Sequence, residues 1–111
     1  MLILTTPLPL SEIRLNHNHF FNSMVKIVVD IEKEIIALDA DLHVDLEQAL
    51  LENGSEQKDL WGANIYFEGP LYLEYTSLIN IRPTQANRSM EIEDPATQNK
   101  LSGVVQKLIT K

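Results

Sequence analysis

The chain has 111 residues, a formal net charge of −7 and no cysteine. That length suits one domain, expected to span residues 1–111. Its nine Lys and Arg residues are scattered, which argues against nucleic acid and against an anionic membrane surface as partners, and the lack of thiols excludes a disulfide framework, a thiolate zinc site and a Cys nucleophile.

The elements follow in order. Met1–Thr5 reads as a short strand running into a turn marked by Pro7 and Pro9. Those prolines, and the absence of a basic start, separate the apolar opening from a signal peptide. Ser11 is placed to cap a helix. Leu10, Ile13, His17, Phe20 and Met24 recur at helical spacing behind it, though Asn16, Asn18 and Asn22 weaken its end.

Val25–Ile31 and Glu34–Asp39 are rich in Val and Ile and predict a β-hairpin around Glu32-Lys33, with no Gly or Asn to make a tight turn. Asp45, with Gln48 three residues on, predicts the cap of a second helix. That helix carries Val44, Leu46, Ala49 and Leu50 and stops at Asn53-Gly54. Ser55 starts one further turn, ending near Gly62.

Ala63–Phe67 reads as a strand, and Glu68-Gly69-Pro70 as a turn. Leu71–Arg82 then alternates as one long strand: Leu71, Leu73, Tyr75, Ile79 and Ile81 on one face, Tyr72, Glu74, Thr76, Asn80 and Arg82 on the other. Residues 83–93 lack a period and read as a loop. Asp94-Pro95 opens a last helix with a stripe of Leu101, Val104, Val105, Leu108 and Ile109. No segment approaches the roughly 20 apolar residues of a membrane span, so a soluble protein is expected, and the missing thiols fit a reducing cytoplasm. The order β-α-β-β-α-β-β-α implies an α+β fold: a mainly antiparallel sheet with helices packed on one face.

Four groups could carry chemistry. Asp39, Asp41, His43, Asp45 and Glu47 alternate with apolar residues. His43 with Asp41 and Asp45 would suit a divalent metal or a general base, but the same alternation describes a solvated strand end running into a helix cap. The Arg82–Ser89 segment gathers guanidinium forks and amides that bind carboxylates or phosphates; its candidates are Arg82, Asn87 and Arg88, with Asn80 just before it. Trp61 offers a stacking surface, and Asn64 can share the polar sheet face with Asn80 and Arg82. A single site requires these side chains and His43 to meet in one cleft. His17 and His19 are two apart, the wrong spacing for a helical zinc pair.

Three segments resemble a family of small uncharacterised prokaryotic proteins catalogued as domain of unknown function 5674. They are Met24–Lys33; Leu42–Glu47 running on through Gly54-Ser55 to Asp59–Ile65; and Ile79–Ser89 with Glu93–Pro95. One departure is Glu34, where the family pattern tends to carry Gly. The resemblance implies a compact single domain and transfers no activity. The residues themselves favour a non-catalytic binding or interaction protein without a cofactor. Edge strands in so small a sheet invite pairing with a second copy, so a homodimer is expected. The alternative is a small metal-assisted or acid–base enzyme using His43.

Overall fold

The computed structural model describes residues 1–70 and 72–111. Its elements are β1 (Leu2–Leu4), β2 (Leu8–Pro9), α1 (Leu10–Asn16), β3 (Met24–Asp30), β4 (Ile35–Leu38), α2 (His43–Glu52), β5 (Leu60–Tyr66), β6 (Leu73–Glu74), α3 (Pro95–Leu108) and β7 (Ile109–Thr110). Five strands form an antiparallel sheet in the order β1-β4-β3-β5-β6. β2 and β7 make a separate parallel pair. The chain is thus α+β, with the expected hairpin as β3 and β4.

The hairpin turn forms without Gly because Asp30 builds it. The buried Asp30 carboxylate accepts from the N–H groups of Glu32 and Lys33, at 3.0 and 2.8 Å, and from the Ser55 hydroxyl at 2.6 Å. Such a side chain imitates a backbone turn. The remaining difficulty falls on Glu34, which sits in the left-handed region at φ 57°.

β3 is buried on both faces, and this divides the core. Val25, Ile27 and Val29 pack with Ile36, Leu38, Trp61, Ala63 and Ile65 beneath α3, whose predicted stripe is buried in full. Val28 points the other way and packs with Ala37, Leu60, Leu46 and Leu50 beneath α2. The helices therefore lie on both faces of the sheet, not one. The physical reason is Val28 and Ala37, which give the second face an apolar strip that only another element can cover.

Three further expectations change. α1 ends at Asn16 and starts from Pro9 rather than from a Ser11 cap; His17 leaves helical geometry, Phe20 is exposed, and Met24 belongs to β3. The second helix starts at His43 without a side-chain cap, so Asp45 lies inside its first turn. The long strand expected over residues 71–82 is only Leu73–Glu74, followed by a 3-10 turn at Leu78–Asn80; Leu71 lies outside the described residues. By contrast α3 starts as expected, with Asp94 accepting from the Ala96 N–H at 3.2 Å and Pro95 in the first turn.

Glu34→Gly should raise stability by about 0.5–1 kcal/mol, because Gly enters the left-handed region without a Cβ penalty. Urea denaturation reads this directly, and a loss of stability would contradict the account of the turn.

Candidate functional site

The polar segment after β6 is built inward. On the side away from β3, and beyond its short pairing with β6, β5 has no strand beside Gly62 among the described residues. The side chain of Asn80 takes that place: its Oδ1 accepts from the Gly62 N–H at 2.9 Å, and its Nδ2 donates to the Gly62 carbonyl at 2.9 Å. The same Nδ2 reaches the Met90 carbonyl at 3.1 Å. Asn80 is wholly buried. The approach is close enough to require glycine, since a Cβ on Gly62 would lie 2.5 Å from that of Ser77.

Asn87 closes the loop behind it. Its Nδ2 lies 2.7 Å from the Asn80 carbonyl and 2.8 Å from that of Glu91, while its Oδ1 accepts from the Glu93 N–H at 2.8 Å. Arg82 is buried as well. It donates to the carbonyls of Ile79 and Gln57, pairs with Glu47 of α2 at 3.2 Å, and lies over the Trp61 ring at 4.8 Å. Four expected ligand contacts, Asn80, Arg82, Asn87 and Trp61, are therefore buried and committed within the fold. Arg88 is exposed, and its N–H donates to Glu93.

Asn64 has a different setting. α2 covers its sheet face over Val28, Ala37 and Leu60 and leaves the part around Lys26 and Asn64 as a groove of about 400 Å³. Leu42 and Val44 at the start of α2, Leu78 and Ile79 of the 3-10 turn, and Met24 and Met90 line it. Four of these are large apolar side chains open to water: Leu42 at 51%, Val44 at 50%, Leu78 at 71% and Met90 at 42%. Such a concentration around one concavity marks a binding surface more often than chance exposure does.

Two polar groups complete the groove wall. Asn64 is 6% exposed; its Nδ2 donates to Glu74 at 2.9 Å, and among the described residues its buried Oδ1 has no hydrogen-bond partner. Native structures leave few such groups. His43 directs Nε2 at the Ala63 carbonyl, 2.8 Å away. A carbonyl only accepts, so Nε2 carries the proton and Nδ1 keeps a lone pair. Burial holds the ring below the usual imidazole value; the Lys26 charge adds to this, while the Ala63 carbonyl and the nearby Asn64 side chain oppose it. The imidazole is neutral at pH 7.

Of the proposed cleft, the structure brings together Asn64 and His43. Asp41 and Asp45 are exposed at the start of α2. Among the described residues no group of three or more His, Asp and Glu side chains is gathered for a metal. The carboxylate–imidazole pair that does form was not foreseen. Asp39 is buried, with φ at 70°, and accepts from both the N–H and the ring Nδ1 of the exposed His19. It fastens the loop after α1 to the end of β4. No local pattern announces a contact between residues 20 apart.

A family model described as "Protein of unknown function (DUF5674)" matches residues 2–108. The chain belongs to this family. No curated protein and no solved structure matches the chain. Among the described residues, no helix is long and apolar enough to cross a membrane. Membership in DUF5674 assigns no chemistry to the groove, whose reading rests on its geometry.

Asn80→Ala should cost about 2–4 kcal/mol, since it leaves both polar groups of the buried Gly62 peptide unpaired at roughly 1–3 kcal/mol each. Thermal or urea unfolding measures this, and a loss under 1 kcal/mol would sink the strand-replacement account. A second prediction concerns acid. Burial raises the Asp39 carboxyl, but the His19 N–H, the His19 ring and nearby positive charge outweigh it and hold it below its ordinary value of 3.8. Its stabilisation is thus complete above that value and fades as pH falls through the folded value. Asp39→Asn, which keeps a residue tolerant of positive φ, should flatten the acid limb of a stability–pH curve. An unchanged limb would contradict it.

Proposed function

We propose that the protein is a single-domain, non-catalytic binding module that takes its partner in the groove beside α2. The observation that carries this reading is the groove itself: four exposed apolar side chains around a wall holding the unpartnered Asn64 Oδ1. A bound partner would remove the first from water and supply a donor to the second. The acid–base and metal alternative has less support, because the His43 Nε2 proton is engaged by Ala63 and the nearby carboxylates are not gathered around the ring. The polar loop supports binding indirectly, by fixing Leu78, Ile79 and Met90 at the groove.

Self-association belongs to the same proposal. Among the described residues β1 lies at one end of the sheet and pairs only with β4, and an unpaired edge invites a second copy.

An apolar fluorescent dye should bind the wild-type chain, and Val44→Glu or Leu78→Glu should weaken it at least roughly tenfold. Both sites are exposed, so stability should stay within about 0.5 kcal/mol. Dye binding indifferent to both changes would rule the groove out. Sizing at high micromolar concentration should give a dimer; a monomer there would remove the self-association.

A further inference from the structure

The groove specifies more than an apolar occupant, and its three chemical features narrow the choice. The first is the apolar rim. The second is Asn64 Oδ1, an acceptor that lacks a donor. The third is Lys26, directly opposite Asn64 in the β3–β5 register and lining the same groove. Among the described residues Lys26 has no carboxylate partner; its ammonium lies 5.3 Å from the centre of the Phe21 ring. A cation with no anion, beside an acceptor with no donor, calls for a ligand carrying both an N–H and a negative group.

Simple ligands fail one requirement or another. A fatty acid offers an anion and an apolar tail but no N–H for Asn64. A free apolar amino acid brings its ammonium group close to Lys26, where like charges repel. An internal peptide segment has the N–H but carries a carboxylate only on an Asp or Glu side chain, which takes the place of the apolar side chain that the rim favours. A chain end has all three: an apolar last side chain, a neutral amide N–H and a terminal carboxylate. Capture of a terminal carboxylate is a recurring mode of peptide recognition. The rim extends the argument, because Leu42, Val44, Leu78 and Met90 offer more apolar surface than one residue covers.

We infer that the occupant is the C-terminal segment of a partner polypeptide ending in an apolar residue. Its last side chain enters the groove, its last amide donates to Asn64 Oδ1, and its carboxylate pairs with Lys26. Since Asn64 Oδ1 is buried, seating the amide needs side-chain adjustment at the wall, a common event on binding. This inference rests on the groove being the binding site, and the test separates the two claims.

The full chain, labelled with nitrogen-15, is titrated with three probes: acetyl-Ala-Leu-Leu as the free acid, the same peptide as its C-terminal amide, and an analogue whose last amide is an ester. The acid should shift the signals of Lys26, Val44, Asn64 and Leu78. The amide and the ester should each bind about tenfold more weakly, the loss expected for one charge-assisted or otherwise unmatched buried hydrogen bond. Lys26→Gln should erase the difference between acid and amide, and Lys26→Arg should restore it. Equal binding of all three probes in the groove would overturn the chain-end inference and leave the groove standing. So would failure of every peptide while the apolar dye still competes there. Shifts confined to another surface would overturn both.

Discussion

The Gly62 peptide group faces no strand, and the carboxamide of Asn80 pairs with it as a strand would. A carboxamide has the donor and acceptor of a peptide group at the right separation, so one side chain satisfies both polar atoms of Gly62. Without that pairing β5 would carry an open, buried edge along the stretch that β6 does not reach. The need for close approach removes the side chain at position 62. The need to hold Asn80 still recruits Asn87, whose amide spans the Asn80 and Glu91 carbonyls. Arg82 then ties the same loop to α2 through Glu47 and to β5 through Trp61. A buried ion pair of this kind does little for net stability, but removal of one partner strands the other.

The groove is a consequence of this arrangement. A regular long strand after the Gly69 turn would have extended the sheet and carried Ile79 and Ile81 along it. The chain instead turns at Leu78–Asn80 and places Leu78 and Ile79 opposite the start of α2. The sheet face between them has no helix to cover it. Lys26 and Asn64, neighbours across β3 and β5, line it. Clamp and groove therefore share a cause, and residues that look like ligand contacts by chemistry serve to hold the turn that lines the groove.

Much of the scaffold was readable because it depends on local pattern. The β3–β4 hairpin, the Asp94-Pro95 start of α3 and its buried stripe follow from alternation, capping and helical spacing. Asn80, Arg82 and Asn87 read as candidate ligand contacts for a physical reason: a buried polar group and a ligand-binding one look the same in a sequence. Only the position of Gly62 decides between them, and Asn80 and Gly62 are 18 residues apart. Alternation from Leu73 to Arg82 read as strand because Leu73, Tyr75, Ile79 and Ile81 fall at odd positions, although Leu78 in the 3-10 turn breaks the pattern. Asn64 and His43, singled out separately in the sequence, both line the groove. Nothing local indicated that Leu42, Val44, Leu78 and Met90 would meet around them, because that meeting depends on where α2 and the turn cross the sheet.

The central claim is that a side chain, not a strand, completes β5 and makes it part of the cooperative core. Native-state hydrogen exchange at the Gly62 amide tests it most directly. The account predicts protection equal to that of the β3–β5 ladder amides, with exchange only on global unfolding. Exchange at the rate of an open surface loop would contradict it.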